Sequence, residues 1–295
     1  MLWLNGRLLR PDEARIDPAD RGLLLADGLF ETLRADQGVP ADLDAHLDRL
    51  EAGALVLGIE PPASRAEVRQ ACADVLAAAL LAEGPAGLRI TLTRGPAPRG
   101  LALPAKPTPT LMIAPFRRDA AASPAARIAM AAFPRNERSP LSCLKSLAYL
   151  ESVLALHDAR ARGLDDALLP NTAGRVACAS AANVFVVLKG RLVTPPPSEG
   201  CLPGISRATV IQAAARLGIE VEEAPLAPDA LASADEAFLT NSLIGLRPVA
   251  AIEGRALPGG APGPVTRALV RSVGQSHFPD TTYADPPLAG AGPPD

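Results

Sequence analysis

The sequence predicts an α+β protein of two domains, and three observations carry that expectation. The chain has 295 residues, 48% of them hydrophobic and 21% charged, enough to bury two cores. Apolar residues keep helical spacing through residues 42–82, whereas short strand patterns crowd residues 166–194. Between these regions, residues 117–124 hold two arginines, an aspartate, several alanines and a proline, the composition of a connecting segment. The expected organisation is an N-terminal α/β domain over 1–116, a linker over 117–124 and a mixed, β-rich domain over 125–275. Residues 280–295, broken by repeated prolines, can bury little apolar surface and are expected to be disordered.

The elements follow in order. Asn5-Gly6 between Leu2-Trp3-Leu4 and Leu8-Leu9 marks a hairpin, because both turn residues tolerate positive φ. Residues 20–34 read as a glycine-punctuated loop entering a strand. Leu47, Leu50, Ala54 and Leu57 then keep helical spacing from Asp42, with Gly58 as the stop. Ser64 and Glu67 form a capping-box pattern that opens a second helix, expected to reach about Ala82. Strands are expected over 88–93 and 110–115, flanking a proline-stiffened loop that carries Arg94 and Arg99; such a loop can clamp a carboxylate or lie solvated. Beyond the linker come a strand over 126–132, a helix whose face is marked by Leu147, Leu150, Leu154 and His157, and strands over 166–169, 175–180, 183–188 and 191–194. A helix from Gly204 to Gly218 and a strand over 236–240 follow.

Composition excludes several classes of function. A net charge of -3 gives no basic field for nucleic acid or an anionic membrane. No apolar run reaches the roughly 18 residues of a membrane span, and the first residues lack a basic region followed by an apolar one, so a cytoplasmic protein is expected. Cys72, Cys143, Cys178 and Cys201 lack paired spacing and read as reduced thiols; His46, His157 and His277 are too scattered for a metal cluster.

Only three of the 29 lysines and arginines are lysines. Lys106 and Lys189 sit in turn-like surroundings, but Lys145 lies between Leu144 and Leu147, where a helical pattern begins. Desolvation lowers an amine's pKa and makes it a usable nucleophile, a role closed to arginine. A snorkelling lysine would look the same in this stretch alone. Gly204-Ile205-Ser206 at a helix start and Thr240-Asn241-Ser242 after a strand supply small polar donors suited to a phosphate. With one desolvated lysine, the two clusters suggest a phosphorylated aldehyde cofactor.

The order of motifs resembles the fold-type IV, or class IV aminotransferase, family of pyridoxal phosphate enzymes, which includes branched-chain and D-amino acid aminotransferases and aminodeoxychorismate lyases. The resemblance spans roughly Leu2 to Arg255. It rests on His46-Leu47-Asp48-Arg49-Leu50, the Lys145 stretch, Ala182-Asn183-Val184-Phe185, Cys201-Leu202-Pro203-Gly204-Ile205-Ser206-Arg207 and Phe238-Leu239-Thr240-Asn241-Ser242-Leu243. It implies pyridoxal phosphate as cofactor, with Lys145 bonding its aldehyde and afterwards shuttling the proton. Arg49, which alone reads as a surface cation, matches the arginine on the cofactor phosphate. Ile205, Ser206, Asn241 and Ser242 match the rest of that cup, while Phe30, Thr32 and Arg99 match residues on the substrate side. The resemblance further implies a small-molecule amino substrate and a homodimer whose partner chain completes the site.

The match departs from the family at Cys178, where relatives usually carry the glutamate that keeps the pyridine nitrogen protonated. A pyridinium is the electron sink for a carbanion beside the imine, and a thiol with a reference pKa of about 8.5 is a poor substitute. Within the family, Thr240-Asn241-Ser242-Leu243, Phe30-Glu31-Thr32-Leu33 and the Arg94 to Gly100 loop are most similar to aminodeoxychorismate lyases. Two alternatives stand beside that expectation: an aminotransferase for D-amino acids or branched-chain substrates, and a cofactor-binding protein of low turnover.

Overall fold

The computed structural model describes residues 1–118 and 124–277. Strands β1 (Leu2–Leu4) and β2 (Arg7–Leu9) form the expected hairpin, turned by Asn5 at φ 45° and Gly6 at φ 86°. A short helix, α1 (Arg21–Leu25), stands where the sequence reads as loop; the Asp20 carboxylate nucleates it by accepting the Gly22 N–H at 2.7 Å. Strands β3 (Gly28–Asp36) and β4 (Val39–Pro40) lead into α2 (Leu43–Leu57) and α3 (Arg65–Ala78). Ser64 and Glu67 close the expected capping box. α3 stops short of Ala82 because the chain turns left-handed at Leu80, φ 56°. Strands β5 (Pro85–Thr93) and β6 (Thr110–Arg117) complete a six-stranded sheet of order β2-β1-β6-β5-β3-β4, antiparallel throughout.

Residues 119–123 of the expected linker and the expected tail over 280–295 lie outside the described residues. The chain continues with β7 (Ala126–Met130), α4 (Leu150–Ala161), β8 (Asp166–Pro170), β9 (Val176–Ala179), β10 (Asn183–Leu188) and β11 (Arg191–Thr194). It ends with α5 (Ile205–Arg216), β12 (Val221–Glu223), α6 (Pro228–Ala232), β13 (Glu236–Asn241), β14 (Gly245–Ile252), β15 (Arg255–Ala256) and α7 (Pro264–His277). These strands build a second sheet, β12-β11-β10-β13-β14-β7-β8-β9, with β15 on the side of β14. Parallel pairs join β11 to β12, β14 to β7 and β7 to β8; the others are antiparallel.

Each sheet has its own core. Leu47, Leu50 and Ala54 of α2 and Val75 and Leu76 of α3 pack on Leu29, Leu33, Leu88 and Ile90. Full burial of each such leucine or isoleucine contributes about 1.5–3 kcal/mol. Strand alternation sorts the second sheet: Phe185 and Val187 meet α5 and α7, whereas Val184 and Val186 point to the other face. The rings of Phe185 and Phe238 stack at 5.0 Å.

Helix α4 departs from expectation. It starts at Leu150 and leaves Leu147 outside, and its leucine face is turned outward, with Leu150 69% and Leu154 50% exposed. The side it buries is small: Ser152, Ala155 and Ala159. Ala155 and Ala159 join Ala167, Leu169 and Ala177 of β8 and β9, so small side chains let the helix lie close to the strands.

Candidate active site

Lys145 lies in an extended segment strapped to β3, five residues before α4, and not at a helix start. Phe30 N–H donates to the Lys145 carbonyl at 2.9 Å and Leu147 N–H to the Gly28 carbonyl at 3.0 Å. Gly28 makes the strap possible: a Cβ there would stand 2.4 Å from the Leu92 carbonyl oxygen and 2.9 Å from Leu147 Cδ1. The strap carries Lys145 into an open cavity of about 870 Å³, measured out to its mouth. There the ammonium sits 4.3 Å from the centroid of the Phe30 ring and 3.4 Å from the Tyr149 hydroxyl. Removal from water lowers its pKa to about 8; nearby Glu31 opposes the shift, and the Arg49 and Arg89 charges add to it.

The period of two along β3 builds one wall. Leu29 and Leu33 face the core under α2, and Phe30 and Thr32 line the cavity. Glu31 is buried on the α2 side, where it takes a bidentate pair from Arg49 at 2.8 and 2.7 Å and contacts His46 Nδ1 at 2.6 Å. Burial opposes ionisation of Glu31, but the hydrogen bonds from Arg49 and His46 prevail and hold its pKa below the usual carboxylate value. Arg49 lines the cavity with its charge already matched, its remaining reach being to the Pro203 carbonyl at 3.2 Å.

The facing wall belongs to the second sheet. Helix α5 begins at Gly204 with no side-chain cap, so its first N–H groups, at Ile205 and Ser206, are free where both residues line the cavity. A Cβ at Gly204 would stand 2.1 Å from Asn183 Oδ1, so only glycine lets the helix start this close to β10. Ser242 lines the same region and its hydroxyl lies 3.3 Å from His46 Nε2. The Asn241 side chain, although at the cavity, is committed to holding its own turn, accepting from Leu243 and Ile244 N–H and donating to the Ala181 carbonyl. Thr240 lines the cavity too, with a buried hydroxyl that has no hydrogen-bond partner. An uncapped helix start, serine hydroxyls, an arginine and an orphaned hydroxyl around a half-desolvated amine make a donor set that fits a phosphorylated aldehyde.

Cys178 also lines the cavity, on β9, packed among the alanines under α4. Burial pushes its thiol up to about 12 although the Arg135 charge opposes the shift, so the group is neutral. Of the residues expected at the site, the structure brings Lys145, Arg49, Cys178, Ile205, Ser206, Asn241 and Ser242 to one cavity, with Phe30 and Thr32. Arg99 is exposed on the loop after β5 and does not line the cavity of its own chain.

Other residues were not expected. Tyr149 follows Lys145 by four residues and packs edge-on to Phe30 at 4.9 Å; its rarity was a signal, since the sequence has only two tyrosines. Arg135 lines the cavity, fixed by Glu151 at 3.1 Å and by the Gly200 and Ser142 carbonyls, and no spacing in the sequence announces it. Arg89, on β5 opposite Thr32, does not line the cavity but holds its guanidinium 3.9 Å from the Phe30 centroid. Among the described residues it has neither a carboxylate nor a hydrogen-bond partner, and burial lowers its pKa.

The family model for class IV amino-transferases matches residues 28–252. The chain is 30% identical over 280 residues to a D-alanine aminotransferase of Bacillus licheniformis, covering 94% of this chain and 97% of the other. It is 30% identical over 255 residues to an aminodeoxychorismate lyase of Bacillus subtilis, covering 86% and 87%. Among solved structures, the branched-chain aminotransferase of the archaeon Thermoproteus uzoniensis with norvaline superposes with a TM-score of 0.87 at 28% identity, covering 95% of each chain.

Proposed function

The chain belongs to the class IV aminotransferases, whose cofactor is pyridoxal phosphate, and we propose that within this family it acts as an aminodeoxychorismate lyase. The observation that carries the proposal is a cationic lining without a carboxylate around the Phe30 and Tyr149 rings, with Arg135 and Lys145 in it, backed by the half-buried Arg89 guanidinium, which does not line the cavity but lies against Phe30 without a counter-ion among the described residues. An unmatched cation beside an aromatic pair suits a planar, carboxylated ring substrate.

Pyridoxal phosphate would be held by Lys145 at its aldehyde and by the α5 N-terminus, Ser206, Ser242 and Arg49 at its phosphate. When bound, it activates the substrate carbon that bears the amino group. The freed amine of Lys145 takes the proton from that ring carbon. The adjacent carbon–oxygen bond breaks with its electron pair on the leaving oxygen, the ring becomes aromatic as para-aminobenzoate, and the three-carbon enolate takes back the proton from Lys145 and ketonises to pyruvate. Tyr149, 3.4 Å from Lys145 Nζ, orients the amine, and the Arg89 charge, against Phe30 and outside the lining, attracts a substrate carboxylate to the cavity. Aromatisation drives the elimination, so the reaction tolerates the neutral thiol of Cys178.

The second reading, an aminotransferase for D-amino acids or branched-chain substrates, draws on the names of the relatives and needs the same lysine. We further propose a homodimer in the cytoplasm. Leu23, Leu24 and Leu25 of α1 are exposed beside the loop that carries Arg99, Leu101 and Leu103, and α1 and this loop are tied together by Arg21 to the Gly100 carbonyl at 2.9 Å. No described helix is long and apolar enough to cross a membrane.

Holoenzyme mixed with aminodeoxychorismate should release pyruvate and para-aminobenzoate in equal amounts, and the Lys145→Ala protein should release neither. Release no faster than in that variant, with D-alanine or L-leucine converting the bound cofactor to its amine form, would make the protein an aminotransferase.

A further inference from the structure

No carboxylate lines the cavity among the described residues. Its ionisable lining groups are Arg49, Arg135, Lys145, Tyr149 and Cys178. The carboxylates that border it are committed elsewhere: Glu31 is bound by Arg49 and His46 on the α2 side of β3, Glu151 is held by Arg135, and Asp166 accepts from the Ser180 hydroxyl and N–H. On β9 the one ionisable side chain is Cys178, buried among small apolar residues and neutral across the physiological range. The other β9 residue that lines the cavity is Ala179, and the residues that follow, Ser180, Ala181, Ala182 and Asn183, offer only neutral groups.

A pyridine nitrogen is a weak base. Near neutral pH it keeps a proton where an anion faces it, and it loses that proton among neutral donors and cations. The ring nitrogen of pyridoxal phosphate lies across the ring from the aldehyde carbon, so it points away from Lys145 and into the remaining lining. We propose that this cavity holds the cofactor's ring nitrogen unprotonated, and that Cys178, by standing where a lining carboxylate would reverse that state, sets which reactions the site favours. The inference rests on the family's cofactor and holds whichever substrate the enzyme takes.

An unprotonated ring is a weaker sink for the charge left when Lys145 removes a proton from the substrate carbon. Amino-group transfer, which depends on that sink, is slowed. An elimination pulled forward by its own product is slowed less. Cys178 is therefore a specificity-determining position, acting through the electronic state of the cofactor.

The test is nitrogen NMR of holoenzyme loaded with cofactor isotopically labelled at the ring nitrogen. The resonance is expected at the position of a neutral pyridine in the wild type and in Cys178→Ser, and at the pyridinium position in Cys178→Glu. A pyridinium resonance in the wild type overturns the proposal. A neutral resonance in a folded, cofactor-loaded Cys178→Glu protein overturns the role given to this position. If the glutamate variant does not fold, the wild-type and serine spectra still decide the protonation state. These spectra are independent of pyruvate release, so a failed lyase assay and a failed protonation proposal are told apart. As a second readout, Cys178→Glu should speed conversion of the bound cofactor by D-alanine relative to any elimination.

Discussion

Two groups of cations lie along β3, and they are built on opposite terms. Just before the strand, Asp27 takes Arg21 at 2.7 Å and Arg94 in a bidentate pair at 2.7 and 3.0 Å. The remaining donors of this knot satisfy carbonyls: Arg94 reaches Leu57 and Gly58 at the end of α2, and Arg21 reaches Gly100 and Ala102 in the loop after β5. Burial works against the Asp27 charge, but hydrogen bonds from Arg94 and Arg21 outweigh it and keep its pKa low. Two residues into the strand, Arg89 and Lys145 gather at Phe30 with no such partner, and burial lowers the pKa of each. Where two guanidinium groups share one carboxylate and satisfy their other donors on carbonyls, the knot holds structure together; where cations have no carboxylate at all, the protein keeps a place for an anion and a reactive amine.

The comparison can be broken at its matched end first. Asp27→Ala leaves two buried guanidinium groups without a counter-ion and should cost about 3–5 kcal/mol of stability, read by chemical denaturation. An unchanged unfolding midpoint would mean the knot is ornamental and the contrast is false. At the unmatched end, Arg89→Met should leave stability nearly unchanged. It should raise KM for a carboxylated substrate several-fold while kcat changes little, as expected for a charge beside the cavity that favours the substrate equally in ground and transition states.

How much of this contrast could be read from the sequence differs by element. The Ser64 capping box, the start of α5 at Gly204 and the rarity of lysine follow from local rules, whereas Arg49, Cys178, Phe30 and Thr32 are placed at the site only by the resemblance of their motifs to the family. The outward leucines of α4 follow from neither. A helical apolar stripe shows that a face avoids water, but it does not say whether the chain's own core covers it, and here alanines take the inner side. Arg135 and Arg89 were equally hidden, because the absence or presence of a buried counter-ion is a property of distant strands brought together. Glu31 and Arg49 are 18 positions apart and only the packing of α2 on β3 makes them a pair.

The smallest effect sharpens the comparison by pH. With its pKa lowered to about 8, Lys145 is protonated below that value and free above it. Attachment of pyridoxal phosphate to the apoprotein should therefore slow about tenfold per pH unit below 8 and level off above it, whereas an ordinary lysine, near 10.4, would keep accelerating to about pH 10. Stopped-flow absorbance across this range distinguishes the two.

The strap between Lys145 and β3 carries one more consequence. The amine takes its coordinates from the first sheet, through the hydrogen bonds of Phe30 and Leu147, whereas the uncapped start of α5 takes its own from the second, through Asn183 and Gly204. The two sheets thus act as the jaws of a calliper. The span between a nucleophile and an anion cup is gauged by how they close on each other, and a ligand with an aldehyde at one end and a phosphate at the other is the length standard against which that closure is set.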